Sequence, residues 1–123
     1  ICIDALNGGP GINSKKYLGS NNKTNSVLKK IIGVVKNKNK YKAFFETSIC
    51  LTLNIDKQIF FTGRVYGKIS LKIKGKNGFG YDPIFIPNGM SLTFSEMSLI
   101  QKNLLSHRAI AIKKLSKYLT NSI

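Results

Sequence analysis

The chain has 123 residues, 42% of them hydrophobic, which suits one domain (residues 1–123) with a real but modest core. Twenty Lys and Arg against five Asp and Glu give a formal net charge of +15, which attracts phosphates or nucleic acid, although the lysines are scattered as on solvated faces and not gathered in one run. No apolar run approaches membrane-spanning length and no signal-peptide pattern precedes the first motif, while Cys2 and Cys50 lack metal or disulfide spacing and fit a reducing, cytoplasmic setting.

Residues 1–5 read as the end of a strand, with Ile1, Ile3 and Ala5 alternating against Cys2 and Asp4. Asn7-Gly8-Gly9-Pro10-Gly11 is a dense turn signal. In the Ser14-Lys15-Lys16-Tyr17 run that follows, the two lysines face either phosphates or solvent. Residues 20–25 are polar and loop-like, and Thr24 or Asn25 is placed to cap a helix through Val27, Leu28, Ile31, Ile32 and Val35. Those positions recur at three- and four-residue spacing, which is a core stripe. Residues 37–40 read as a polar linker.

Residues 41–55 form the clearest strand. Ala43, Phe45, Thr47, Ile49, Leu51, Leu53 and Ile55 share one face; Lys42, Glu46, Ser48, Thr52 and Asn54 share the other. Asp56-Lys57 turns into a second strand over 58–62. Gly63 and Gly67 bracket a bend, and 68–74 alternates again, so the expectation is an antiparallel meander. Ile84-Phe85-Ile86 is one more strand, stopped by Pro87-Asn88-Gly89. Thr93 to Glu96 and Ser98 to Gln101 both have capping-box spacing. Ser106 caps a final helix with Ala111, Leu115 and Leu119 in one stripe and Ile112 and Tyr118 beside it. The fold class is α/β, a mixed sheet flanked by helices.

Between these elements lies Gly78-Phe79-Gly80-Tyr81-Asp82-Pro83-Ile84-Phe85. Its glycines permit a tight turn and close approach of a ligand. Phe79 between them has little side chain to cover it, so its ring offers a stacking face. Pro83 restricts Asp82 to an extended backbone and so aims its carboxylate. Tyr81 is either core or ligand-facing. Further on stand Lys102, Ser106, His107 and Arg108. Read alone, the single histidine is a capping or surface residue; beside Arg108 at a helix start it becomes a candidate for binding an electron-rich group.

These stretches together resemble the inosine/xanthosine triphosphate pyrophosphatase family. That family carries a GFGYDPIF loop followed by a TFAEM…K…SHR segment, here residues 78–85, 93–97, Lys102 and 106–108. Asp4-Ala5-Leu6-Asn7-Gly8-Gly9-Pro10-Gly11 is similar to its VDALNGAPG run, and Lys16 stands where the family often has Arg. The resemblance implies an ITPase-like fold lacking the family's first strand and helix, a domain missing its N-terminal third. It assigns Phe79, Gly80, Tyr81, Asp82, Lys102, His107 and Arg108 to the purine, and it implies hydrolysis of inosine and xanthosine triphosphates to the monophosphate and pyrophosphate, with Mg2+ and a homodimer. No catalytic or metal residue carries over, because the family's DDSG run and its Ser/Thr-x-Asn-x-x-Lys phosphate loop have no counterpart here. Two other readings stay open: an inactive nucleotide-binding remnant, and a basic nucleic-acid-binding module, which has the charge but neither zinc spacing nor a helix-turn-helix signal.

Overall fold

Alternation of apolar and polar side chains yields a strand of thirteen residues, β3 (Lys42–Asn54), which turns at Ile55 and Asp56 into an equally long β4 (Lys57–Ile69). The computed structural model describes residues 1–20 and 23–121. β3 and β4 pair from Lys42↔Lys68 to Thr52↔Gln58, with a register shift before Asn54↔Lys57. β1 (Cys2–Ile3) pairs with β3, β2 (Gly9–Pro10) with β1, and β5 (Phe85–Pro87) with the end of β4. The order is β2-β1-β3-β4-β5, antiparallel throughout. With α1 (Ser14–Leu18), α2 (Thr24–Lys38), α3 (Leu99–Leu105) and α4 (His107–Asn121), this is the α/β architecture expected.

The α2 stripe does the work its spacing implies. Leu28, Ile31, Ile32 and Val35 are buried in one cluster with Ile3, Ala43, Ile69, Ile84, Phe85 and Phe94. Each such side chain contributes roughly 1.5–3 kcal/mol by leaving water. The reverse face of the β3–β4 ribbon carries Glu46, Ser48, Cys50, Phe60, Arg64 and Tyr66, all exposed.

Several local expectations are corrected. The opening strand ends at Ile3; Asp4–Leu6 is a 3-10 turn closed by Asn7 at φ 56°. Neither Thr24 nor Asn25 caps α2. Thr24 is its first helical residue, Lys23 occupies the cap position, and the Thr24 hydroxyl donates back to the Ser20 carbonyl at 3.4 Å. The supposed linker is partly helix: α2 runs to Lys38 and closes at Asn39, φ 53°. In α4 only Ala111 is fully buried; Leu115 and Tyr118 are half-buried, while Ile112 and Leu119 stay 56% and 44% exposed.

The larger correction concerns Gly63 and Gly67. They do not bend the chain; β4 runs straight through both, and no strand follows over 70–74. Both glycines admit backbone instead. A Cβ at Gly63 would collide with the His107 carbonyl and the Ala111 backbone nitrogen, and one at Gly67 with the Ile86 carbonyl and the Phe85 ring. The first turns of α4 therefore lie directly on β4, a role that glycine within a strand marks.

Gly63→Ala is expected to lower stability by about 1–3 kcal/mol through overpacking. Gly33→Ala, on an exposed α2 position with nothing within 4 Å of its Cβ, is expected to raise it by about 0.8–1 kcal/mol through helix propensity. Thermal and denaturant unfolding of both variants checks the pair; a neutral Gly63→Ala would mean that α4 is not held against β4.

Candidate functional site

The loop entering β5 is fixed from both sides. Gly75, at φ 91°, presses against the Ser95 backbone. The Thr93 hydroxyl donates to the Lys74 carbonyl at 2.8 Å, and the Asn77 side-chain amide donates to the Met97 carbonyl at 3.0 Å. Gly78 and Gly80 take left-handed conformations, φ 74° and 64°. A Cβ at Gly78 would occupy the place of the Asp82 carboxylate. That carboxylate closes the turn, its Oδ2 accepting from the Phe79 N–H at 3.0 Å and from Lys102 Nζ at 2.6 Å. Asp82 is not extended, as its proline neighbour led us to expect, but opens a 3-10 turn over Asp82–Ile84 with Pro83 second. The hydrogen bonds on its N–H and its carboxylate override the pre-proline bias.

This closure leaves Phe79 out in the open, 64% exposed. Lys102 Nζ stands 4.8 Å from its ring centroid and the Arg108 guanidinium carbon 5.3 Å. Tyr81 is buried, and its phenol donates to the Ser14 carbonyl at 2.6 Å. Burial pushes that phenol up to about 12, so Tyr81 anchors the loop to α1.

Lys102 and the His107-Arg108 pair arrive on adjoining helices whose starts follow from sequence. Ser98 and Gln101 form a reciprocal capping box on α3, the Gln101 N–H donating to Ser98 Oγ at 3.2 Å and the Ser98 N–H to Gln101 Oε1 at 3.1 Å. Ser106 caps α4, accepting from the Ala109 N–H at 3.1 Å. The His107 imidazole then lies almost parallel to the Phe45 ring, centroids 5.0 Å apart and planes 11° apart. Its Nδ1 is sealed from solvent with no hydrogen-bond partner among the described residues. Burial, then the charges of Arg108, the Ile1 ammonium and Lys102, push the imidazole down to about 4, so it is neutral at pH 7.

Residues 79–82, Lys102, His107 and Arg108 all line one cavity of about 1510 Å³. The sequence reading missed Phe45, placed there only on one face of a strand, and did not join Lys113 and Lys117 of α4 to Lys15 on the same cavity wall. The signal for Phe45 lay in Gly63: a glycine two residues along from Val65, the cross-strand partner of Phe45, brings α4 down onto this part of the sheet.

The acidic residues are otherwise engaged. Asp82 holds Lys102, the Glu96 carboxylate accepts from the Thr93 N–H at 3.0 Å, and Glu46 pairs with Arg64 at 2.5 Å. Asp56 lies in the β3–β4 turn and Asp4 opens the first 3-10 turn, both exposed. Among the described residues no three His, Cys, Asp or Glu gather closely enough to hold a metal ion.

The sequence profile of the Ham1 family matches residues 1–118. The chain is 39% identical over 118 residues to the dITP/XTP pyrophosphatase of Christiangramia forsetii, covering 96% of this chain and 62% of that protein. It is 40% identical over 119 residues to the dITP/XTP pyrophosphatase of Flavobacterium johnsoniae, covering 96% and 61%. The solved Ham1 protein of Staphylococcus aureus superposes with a TM-score of 0.88 at 35% identity, over 98% of this chain and 63% of that one. A HAM1 protein from Coxiella burnetii gives 0.87 at 34% identity, over 98% and 63%. The chain thus spans about three-fifths of the length of these relatives.

Lys102→Met leaves a buried carboxylate without its cation and is expected to cost on the order of 3 kcal/mol, read by denaturant unfolding; adding Asp82→Asn should restore part of the loss. The His107 shift has a definite sign. The unfolded imidazole binds its proton near 6.5 and the folded one near 4, so the stability that neutral His107 contributes is present above pH 6.5 and lost as pH falls toward 4. Stability measured between pH 4 and 7 should therefore rise more steeply in the parent than in His107→Gln; equal slopes would refute the burial of that ring.

Proposed function

The chain belongs to the Ham1 family, and from that premise we propose that it carries the purine-recognition part of a nucleoside triphosphate pyrophosphatase acting on deaminated purine nucleotides: inosine, deoxyinosine and xanthosine triphosphates, cleaved to the monophosphate and pyrophosphate. The observation that carries this reading is the pairing of one exposed aromatic ring, Phe79, with two cations, Lys102 and Arg108, beside a neutral imidazole on a single cavity.

In this reading the purine stacks on Phe79, worth roughly 1–3 kcal/mol and tolerant of base identity. Selectivity comes from the polar groups. Hypoxanthine and xanthine present O6 as an acceptor, to which Arg108 donates; adenine presents an amino group there, and donor would face donor. A buried donor left unpaired costs on the order of 1–3 kcal/mol. Asp82 acts through others: its carboxylate holds Lys102 and the Phe79 backbone, fixing the height of the ring and the reach of the ammonium. Tyr81 and Gly80 support the loop that the base meets. One domain, a cytoplasmic setting and a homodimer complete the proposal.

Cleavage at the α-phosphorus calls for a divalent cation such as Mg2+ held by carboxylates. The residues present do not fit that ion. Three of the five acids are committed to Lys102, Arg64 and the Thr93 N–H, and the other two stand on separate exposed turns. This engagement of the acids favours binding over turnover.

Titration calorimetry with inosine triphosphate and ATP tests the assignment. Arg108→Ala is expected to narrow the ratio of the two affinities by about tenfold, equivalent to ~1.4 kcal/mol. An equal fall in both would remove Arg108 from discrimination. Pyrophosphate release from inosine triphosphate and Mg2+ by the parent, absent in Arg108→Ala, would overturn the assignment of the acids.

A further inference from the structure

We infer that Phe45, on β3, is a positioning residue for this site: its ring holds the His107 imidazole with the proton on Nε2, so that His107 meets the ligand as a hydrogen-bond donor. Phe45 is braced from behind. Phe85 packs edge-on at 4.7 Å and Phe94 lies 6.0 Å away, both in the core. Its remaining face is covered by the imidazole, 5.0 Å away and only 11° from parallel. The stack fixes the plane of the imidazole, and within that plane the edge that carries Nδ1 is the sealed one.

The two nitrogens are unequal. Nδ1 is sealed and has no partner among the described residues, whereas the ring lines the cavity, which leaves Nε2 to face it. Of the two neutral tautomers, one buries an orphan N–H at Nδ1; the other buries only a lone pair. An orphan N–H is the less tolerated of the two, so the proton sits on Nε2. Two cations facing the ring oppose a second proton: Arg108 from its own helix and Lys102 from α3. Glu46, next to Phe45 on β3, also reaches the cavity wall, and its carboxylate is paired with Arg64.

The consequence rests on the purine reading above. An Nε2–H donates to a 6-oxo group as Arg108 does, and meets a 6-amino group as donor against donor. The opposite tautomer would offer an acceptor there and favour adenine. Phe45, by holding the imidazole in its plane, thus bears on which purine the ring suits.

His107 is the single histidine of the chain, so long-range ¹H–¹⁵N spectra of the whole chain contain one imidazole. Without nucleotide at pH 7, Nε2 is expected in the protonated range and Nδ1 in the unprotonated range. In Phe45→Leu the two signals should move toward a common average, and the imidazole should titrate closer to 6.5 than to 4. A protonated Nδ1 in the parent, or a variant spectrum and titration identical to the parent's, would overturn the inference. If Phe45→Leu does not fold, Phe45→Met, nearer in volume, takes its place, and the parent's tautomer still decides. Adding inosine triphosphate separates the two layers: Nε2–H observed but unmoved by the nucleotide sinks the purine reading and leaves the positioning role, whereas nucleotide binding with the proton on Nδ1 sinks the inference alone.

Discussion

The ion pair between Asp82 and Lys102 is the contact on which the site depends. Both side chains are nearly dry, 7% and 13% exposed, at 2.6 Å. Two charges taken out of water cost several kcal/mol each, and their attraction repays this only with close geometry and further hydrogen bonds. Here the Phe79 N–H supplies the further bond. What the pair contributes is registry. It ties the loop before β5 to α3, and with the left-handed Gly78 it forces the Phe79 ring outward. Without that tie the ring would have no reason to be exposed, since a phenylalanine flanked by glycines gains more by folding under.

A second constraint works from below. Gly63 lets the start of α4 lie on β4, and this brings His107 over Phe45. The loop and α3 therefore set one wall of the cavity, while the β3–β4 ribbon sets the other through α4. Arg108 belongs to both. Its backbone follows α4, and its guanidinium reaches the ring that Asp82 holds out. The site is thus the meeting of two independent positioning systems, one ionic and one made of aromatic packing and a missing Cβ.

How much of this could be read in the sequence follows from the range of each interaction. The capping boxes at Thr93 and Ser98 and the Ser106 cap involve residues three apart, and all three stand where the spacing put them. The α2 stripe and the β3 alternation are periodic signals of the same local kind. The failures share a cause as well. Gly63 and Gly67 were read as punctuation because the backbone they admit comes from residues some twenty to fifty positions away. Asp82 was read as extended because its proline neighbour is visible in the sequence, whereas the lysine that holds it is twenty residues on. Phe45 looked like any strand residue, since nothing near it in the chain announces an imidazole.

These ranges also bear on the division of labour within the site. A ring held out by an ion pair, cations beside it and an imidazole stacked on Phe45 meet on one cavity. Phosphorus chemistry needs carboxylates with free lone pairs, converging on one point. Asp82, Glu46 and Glu96 accept instead from Lys102, Arg64 and a backbone N–H. In the proposed reading Asp82 is the acid that serves the purine end, since its carboxylate holds both Lys102 and the Phe79 N–H.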